Sequence, residues 1–406
     1  GFTESNDFPT VSPYSSNHSG FQDIFITKLS SDGQNILFST YLGGNNDDRG
    51  WRVALDSTGN IILAGYSYSS DFPVVNPYQP SFGGGQCDFI IMKFSSDGQI
   101  LLFSTYWGTD GDEVCHGITL DEMDNIIVFG TTGSLTGNQK AHLLKFSSDG
   151  QSVLFQKSLD GNGHDYGNAV VIDSMGNFIV TGSTFSSNFP TVNATQQIYG
   201  GEEDIFVSKF DESGIILFST YLGGSRLDHG YNLVVDNSDS ILVTGVTKSA
   251  NFPLENSLQP SYGGGQFDAY LARLSGNGEL LDSTYIGGNN HDGGTNLTFD
   301  NNKTAIFLVG SSTSSNLPLV NAYQPCSGGD RDAYICKLLI NTTSTGSTIT
   351  PSTCIQPTTS ISTTITSSEN TTTDVILTSG FEYLFTISGI ILATVIAVIV
   401  IRKRSP

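Results

Sequence analysis

The sequence has little positive charge. Only 17 Lys and Arg stand against 39 Asp and Glu in 406 residues, a formal net charge of −22. That balance excludes nucleic-acid binding, since phosphate backbones are gripped by basic faces. It suits instead a domain kept apart from its neighbours by charge, with some capacity to hold cations. Cysteine is scarce, with Cys87, Cys115, Cys326, Cys336 and Cys354 only. An odd number at loose spacing fits no zinc pattern. Cys326–Cys336 is the expected bridge, because the pair flanks and enters one strand. Cys87–Cys115 is a second candidate, and free buried thiols are the alternative. No part of the repeat described below has helical periodicity. No Ser-His-Asp spacing, nucleophile elbow or metal-ligand helix appears either, and the six His residues are scattered. The chain opens on Gly1 rather than Met and shows no signal peptide, so a fragment or a processed N-terminus is expected.

What is present is a repeat. The phrase Leu-Phe-Ser-Thr-Tyr-Leu-Gly-Gly, or a degenerate form of it, starts at Leu37, Leu102, Leu154, Leu217 and Leu281. The intervals are 65, 52, 63 and 64 residues. A second phrase carries Asp56, Asp121, Asp173, Asp236 and Asp300 and closes on Gly65, Gly130, Gly182, Gly245 and Gly310. A third runs from Asp23 to Lys28, Asp88 to Lys93, Asp204 to Lys209, Asp268 to Arg273 and Asp332 to Lys337, with Lys140 standing where one copy should have Asp. Each unit therefore holds four short β-type runs, a to d. In one copy they are Trp51–Asp56, Asn60–Gly65, Asp88–Phe94 and Ile100–Tyr106. Asp-Gly between c and d supplies the positive φ of a tight hairpin. Four antiparallel strands per unit match a propeller blade, and stacking blades around an axis buries faces that one sheet leaves bare. Strands c and d alone are expected from 1–41, four whole blades follow, and 295–338 supplies a, b and c of a last one. About six blades are expected, the set being incomplete at its N-terminus.

These phrases resemble the SBBP-type β-propeller repeat of bacterial and archaeal secreted and surface proteins. The resemblance rests on Val53–Ser67, Asp71–Pro73, Asp88–Phe94 and Ser104–Tyr106, recurs in every copy and covers about residues 1–340. It implies a propeller and little about a ligand.

The b–c connections are long, at 66–87, 183–203, 246–267 and 311–331; one copy shortens to 131–140. Phe8, Phe72, Phe189 and Phe252 each precede Pro, and Leu317 precedes Pro318. These side chains are expected to plug gaps beneath the loops; the alternative is an aromatic ligand rim including Phe82 and Tyr262. A carboxylate stands eight residues before each strand-a Asp: Asp48, Glu113, Asp165, Asp228 and Asp292. As a ring on one face these five are candidate ligands for a cation, Ca²⁺ by oxygen chemistry, with no other cofactor implied. Recurrence in every copy favours a turn-capping role. The symmetry breaks in the short copy, at Trp107, His116, Lys140 and His142.

Beyond the propeller (1–340) the composition shifts. Residues 341–379 contain 23 Ser or Thr among 39, a disordered stalk by composition and a substrate for O-glycosylation. N-glycosylation sequons fall at Asn17, Asn193, Asn296, Asn302, Asn341 and Asn370. The segment 380–401, with its apolar run Tyr383–Ile401, is long enough to span a bilayer as one helix. Arg402-Lys403-Arg404, in the tail 402–406, predicts a cytoplasmic C-terminus and an extracellular N-terminal domain. Gly380-Phe381-Glu382 before that run is similar to archaeal C-terminal sorting signals, although Ser379 stands where those have Pro. The expected function is a membrane-anchored cell-surface module for display, adhesion or ligand binding, its partner an extracellular glycan or surface protein. The alternative is a surface hydrolase or lyase working in the propeller funnel.

Overall fold

The computed structural model describes residues 1–339 apart from 134–136, 304, 321 and 325. The predicted stalk, transmembrane segment and basic tail lie outside the described residues. Among the described residues there is no helix, hence none long and apolar enough to cross a membrane.

The described chain is all-β and forms six antiparallel sheets in sequence order. The first holds β1 (Phe2–Thr3), β2 (Asp23–Leu29) and β3 (Ile36–Leu42). The second holds β4 (Asp48–Leu55), β5 (Ile61–Ser67), β6 (Asp88–Phe94) and β7 (Leu101–Trp107). The third runs β8 (Asp112–Leu120), β9 (Ile126–Gly133), β10 (Lys140–Phe146) and β11 (Val153–Leu159). The fourth is β12 (Asp165–Ile172), β13 (Phe178–Thr184), β14 (Asp204–Phe210) and β15 (Ile216–Leu222). The fifth is β16 (Asp228–Val235), β17 (Ile241–Thr247), β18 (Asp268–Leu274) and β19 (Leu280–Ile286). The sixth is β20 (Asp292–Phe299), β21 (Ala305–Ser312) and β22 (Asp332–Leu339). The four-stranded sheets are meanders in the order a-b-c-d, as the repeat predicts, and the three-stranded first and sixth follow the same order without a and without d respectively. One expectation is corrected: the first sheet has a third strand, because Phe2 and Thr3 pair with Ile24 and Asp23 in position b. Two residues are too few to show alternation, so the sequence gives them no signal.

Strand a of one sheet packs against strand a of the next, β4 on β8, β8 on β12, β12 on β16 and β16 on β20. That places strand a at the hub. Between sheets lie layers of aliphatic and aromatic side chains. Ile179, Ile205 and Val207 of the fourth sheet meet Leu233, Ile241, Val243 and Tyr270 of the fifth in one buried cluster. Fully burying such a side chain is worth about 1.5–3 kcal/mol, and this is what holds blade to blade.

Two glycine positions explain why the motifs recur. A Cβ on the strand-b glycine Gly245 would fall on the carbonyl oxygen of His229, where the hub strand bulges between Gly230 and Asn232. Gly278, in a c–d turn at φ 89°, lies against the ring of Phe218 in the preceding sheet. Only glycine combines that backbone with so close an approach.

The strand-c lysines bridge blades and are largely withdrawn from solvent. Lys93 pairs with Asp56 at 2.8 Å and Lys209 with Asp173 at 2.7 Å, each within its own sheet. Their Nζ atoms also donate to the next sheet's c–d turn, at Ser148 O (3.2 Å) and Gly276 O (3.0 Å). Against the burial that raises it, the Lys93 ammonium and the Asn60 amide hold Asp56 well below the usual carboxylate range.

The expected disulfides are corrected. Cys87, Cys115 and Cys336 are free thiols, and Cys326 is disulfide-bonded but not to Cys336. Cys87 and Cys115 belong to consecutive sheets, and their thiols turn away to carbonyl oxygens, that of Glu113 at 3.5 Å and that of Gly117 at 3.5 Å.

Candidate functional site

The predicted ring of carboxylates begins the hub strands. Asp228 shows its local chemistry. One oxygen accepts from Thr247 Oγ1; the other accepts from Gly224 N at 2.6 Å and Ser249 Oγ at 2.8 Å. Asp48, Asp165 and Asp292 repeat the set with Ser67, Gly44 and Ser69; with Thr184, Gly161 and Ser186; and with Ser312, Gly288 and Ser314. Glu113, one methylene longer, accepts from the N–H and hydroxyl of Thr109. The four aspartates thus tie the d–a turn to the start of a b–c loop, and Glu113 closes the d–a turn alone, satisfying donors that would otherwise be orphaned. Burial pushes Asp48 and Asp228 up to about 6 and Glu113 up to about 7. Among the described residues, no three His, Cys, Asp or Glu side chains come together in an arrangement that could hold a metal.

A second set of carboxylates closes the b–c loops. Asp88 accepts from Gly83 N, Asp204 from Gly200 N and Asp268 from Gly263 N. Each leaves its Oδ1 buried without a hydrogen-bond partner. Burial raises them to about 6, 7 and 7.

The Phe-Pro residues are plugs. Phe72, Phe189 and Phe252 are buried, and each donates its backbone N–H to the hydroxyl of a buried strand-d tyrosine: Tyr106 at 2.8 Å, Tyr221 at 2.9 Å and Tyr285 at 3.1 Å. Those hydroxyls donate onward to Ser69 O, Ser186 O and Ser249 O. Phe82 and Tyr262 pack on the same tyrosines, ring centroids 5.9 Å apart in both cases.

The symmetry-breaking residues separate. Trp107 of the second sheet and His142 of the third meet at a tilt with ring centroids 5.0 Å apart, and Lys140 pairs with Asp160 at 2.9 Å. Only His116 reaches the hub. There it occupies the bulge of β8, the position held elsewhere by Trp51, Asn168, Tyr231 and Thr295. These five differ in every copy, and they gather the polar side chains that the sequence reading did not single out. Trp51, 41% exposed, meets the His116 ring edge-on at 5.4 Å. His116 Nδ1 lies 3.3 Å from Gly167 O, so Nδ1–H donates and Nε2 is left as an acceptor. Burial, with the charges of Arg52 and His229 adding and the Gly167 carbonyl opposing, pushes His116 down to about 4. Asn168 donates to Gly230 O at 2.7 Å and faces His229 Nε2 at 3.2 Å. His229 Nδ1 sits 2.6 Å from Glu203 Oε1 and 3.0 Å from Ser183 Oγ, and Glu203 is buried. A buried carboxylate of this kind fixes the imidazole tautomer, proton on Nδ1. Arg49 is held by Gln22 and Asp47 over the rings of Phe2, Tyr66 and Tyr68.

Sheets of four strands, hub-to-hub packing and recurrent turn carboxylates define a β-propeller. Residues 217–253, from β15 through β17 to Phe252-Pro253, match the SBBP beta-propeller repeat family. No curated protein matches the chain. Among solved structures it is similar to a protein of unknown function from Dyadobacter fermentans, at 13% identity over 79% of this chain and 84% of that one, TM-score 0.39. It is also similar to the phage phi92 endosialidase, at 9% identity, 80% and 53% coverage and TM-score 0.36. A third likeness is to a thermostable family-43 glycoside hydrolase, at 13% identity, 75% and 94% coverage and TM-score 0.35. None of these likenesses carries a functional assignment.

Proposed function

We propose that the propeller is a ligand-binding module of the cell surface, and that its recognition site is the hub. One observation carries this reading. On a scaffold whose turn contacts repeat from sheet to sheet, the bulge residues Trp51, His116, Asn168, Tyr231 and Thr295 do not repeat. Aromatic faces beside Asn, His and Arg suit an extracellular glycan or the loop of a surface protein. Display at the surface is supported by the Ser/Thr-rich stretch 341–379, the apolar run Tyr383–Ile401 and the basic residues after it. The test is binding of the full chain to glycan arrays and envelope fragments, with and without the double substitution Trp51→Ala and Tyr231→Ala. Binding that survives the double variant unchanged removes the hub from the reading.

A hydrolytic role is the second reading, favoured by the Glu203–His229–Asn168 chain. Glu203 would orient His229 so that Nε2 serves as a general base once Asn168 yields its place. A panel of glycan and peptide substrates tests it: turnover lost in Glu203→Gln supports hydrolysis, and no turnover by the native chain sinks it.

A further inference from the structure

Arg52 follows the bulge of β4 and reaches toward β8, close enough to Cys115 and His116 to act on both electrostatically. Among the described residues its guanidinium makes no hydrogen bond and no ion pair. Several other cations on these sheets are paired: Lys93, Lys145 and Lys209 with Asp56, Asp121 and Asp173, and Arg273 with Asp282. Among the described residues no carboxylate is paired with Arg52. Burial lowers the pKa of Arg52, with the nearby Cys115 thiol opposing. Arg52 is only partly buried, so its rigid fork of five N–H donors stays open to a partner from outside the chain. The group that completes it is a planar oxyanion, which the fork meets through two parallel hydrogen bonds.

The surroundings narrow the ligand further. The indole of Trp51 is partly open to solvent beside His116, a flat apolar face of the kind that covers a sugar ring. The Nε2 of His116 is an acceptor for a hydroxyl. Resting on the binding reading above, we propose that the hub takes an acidic sugar of a glycan, with Arg52 on its carboxylate, Trp51 against its ring and His116 Nε2 accepting one of its hydroxyls.

The test is calorimetric titration of the full chain with a panel of uronic- and sialic-acid oligosaccharides, their methyl esters, and neutral and sulfated counterparts. The carboxylates should bind at least about 10-fold more tightly than their esters, equivalent to about 1.4 kcal/mol. Arg52→Gln should erase that preference and leave ester binding unchanged, and Arg52→Lys should restore only part of it. The ester arm needs no variant, so a misfolded Arg52→Gln leaves the proposal exposed to refutation. Acid and ester binding equally would overturn it. So would a preference for sulfate over carboxylate. If neutral glycans or envelope fragments bind as well as the acids do, the ligand class falls and the binding reading stands. If nothing binds, both fall.

Discussion

The turn carboxylates and the bulge residues share the same hub strands, three residues apart, and follow opposite rules. Asp48, Asp165, Asp228 and Asp292 are chemically identical and accept from the same kinds of donor. Trp51, Asn168, Tyr231 and Thr295 share a backbone position and nothing else. The first set answers a need that every blade has, closing a turn whose N–H groups would otherwise be buried unpaired. The second set points where blades converge, and the fold asks of it only that it fit. Where a repeat protein agrees with itself it shows how it stands up. Where it disagrees, the sequence is free to be selected for something else.

The largest effect should come from the glycine that lets the bulge form. Gly245→Val places a side chain on the carbonyl of His229, and no folded protein is expected; soluble yield and far-UV circular dichroism would show it. Next comes Asp228→Ala, which leaves Thr247, Ser249 and Gly224 without their acceptor. It should cost about 2–4 kcal/mol in equilibrium unfolding. Tyr231→Ala, three residues on, loses a half-buried ring packed on His229 at 4.8 Å and no hydrogen bond among the described residues, and should cost less, about 1–2 kcal/mol. Equal losses from the two would erase the distinction between the sets. Asn168→Ala removes the amide's hydrogen bonds to Gly230 O and His229 Nε2 and should cost about 1–2 kcal/mol, with a shifted His229 imidazole resonance as its second signature.

The pH dependence sums over many sites rather than resting on one contact. Asp48, Asp88, Glu113, Asp204, Asp228 and Asp268 are all raised by burial. Between the ordinary carboxylate range and about 7, the folded chain therefore holds protons that the unfolded chain has released. Stability falls as pH rises through that window. His116 and His142, both lowered to about 4, work the other way, since below about 6.5 the unfolded chain takes up protons that the folded one refuses. With more carboxylates than imidazoles involved, the thermal midpoint should drop by a few degrees from pH 5 to pH 7.5. A rise over that interval would show that the turn donors, rather than desolvation, govern these carboxylates.

Periodicity explains what the sequence made legible. The four-strand unit, the c–d turns and the turn carboxylates could be read because each occurs several times at fixed spacing. Strand a was placed too late, at Trp51 rather than Asp48, because the bulge breaks the alternation that marks a strand. Apart from His116, the hub cluster was missed for the opposite reason, since no motif repeats there. Glu203 is the clearest loss. Gln22, Cys87, Gln139, Phe267 and Arg331 hold the corresponding place before strand c, so the one carboxylate in that column was a visible departure. The cysteine pairing failed because spacing along the chain says nothing about which sheet a residue joins.

The lysine that leaves its own strand for the neighbour's turn has a consequence for how such chains change over generations. Lys28, Lys93 and Lys209 each grip a backbone oxygen of the following unit, and a backbone oxygen is supplied by any sequence. A gene that gains or loses one unit by slippage therefore meets a ready-made joint at the new seam, and the length of the array can drift while each blade keeps its grip.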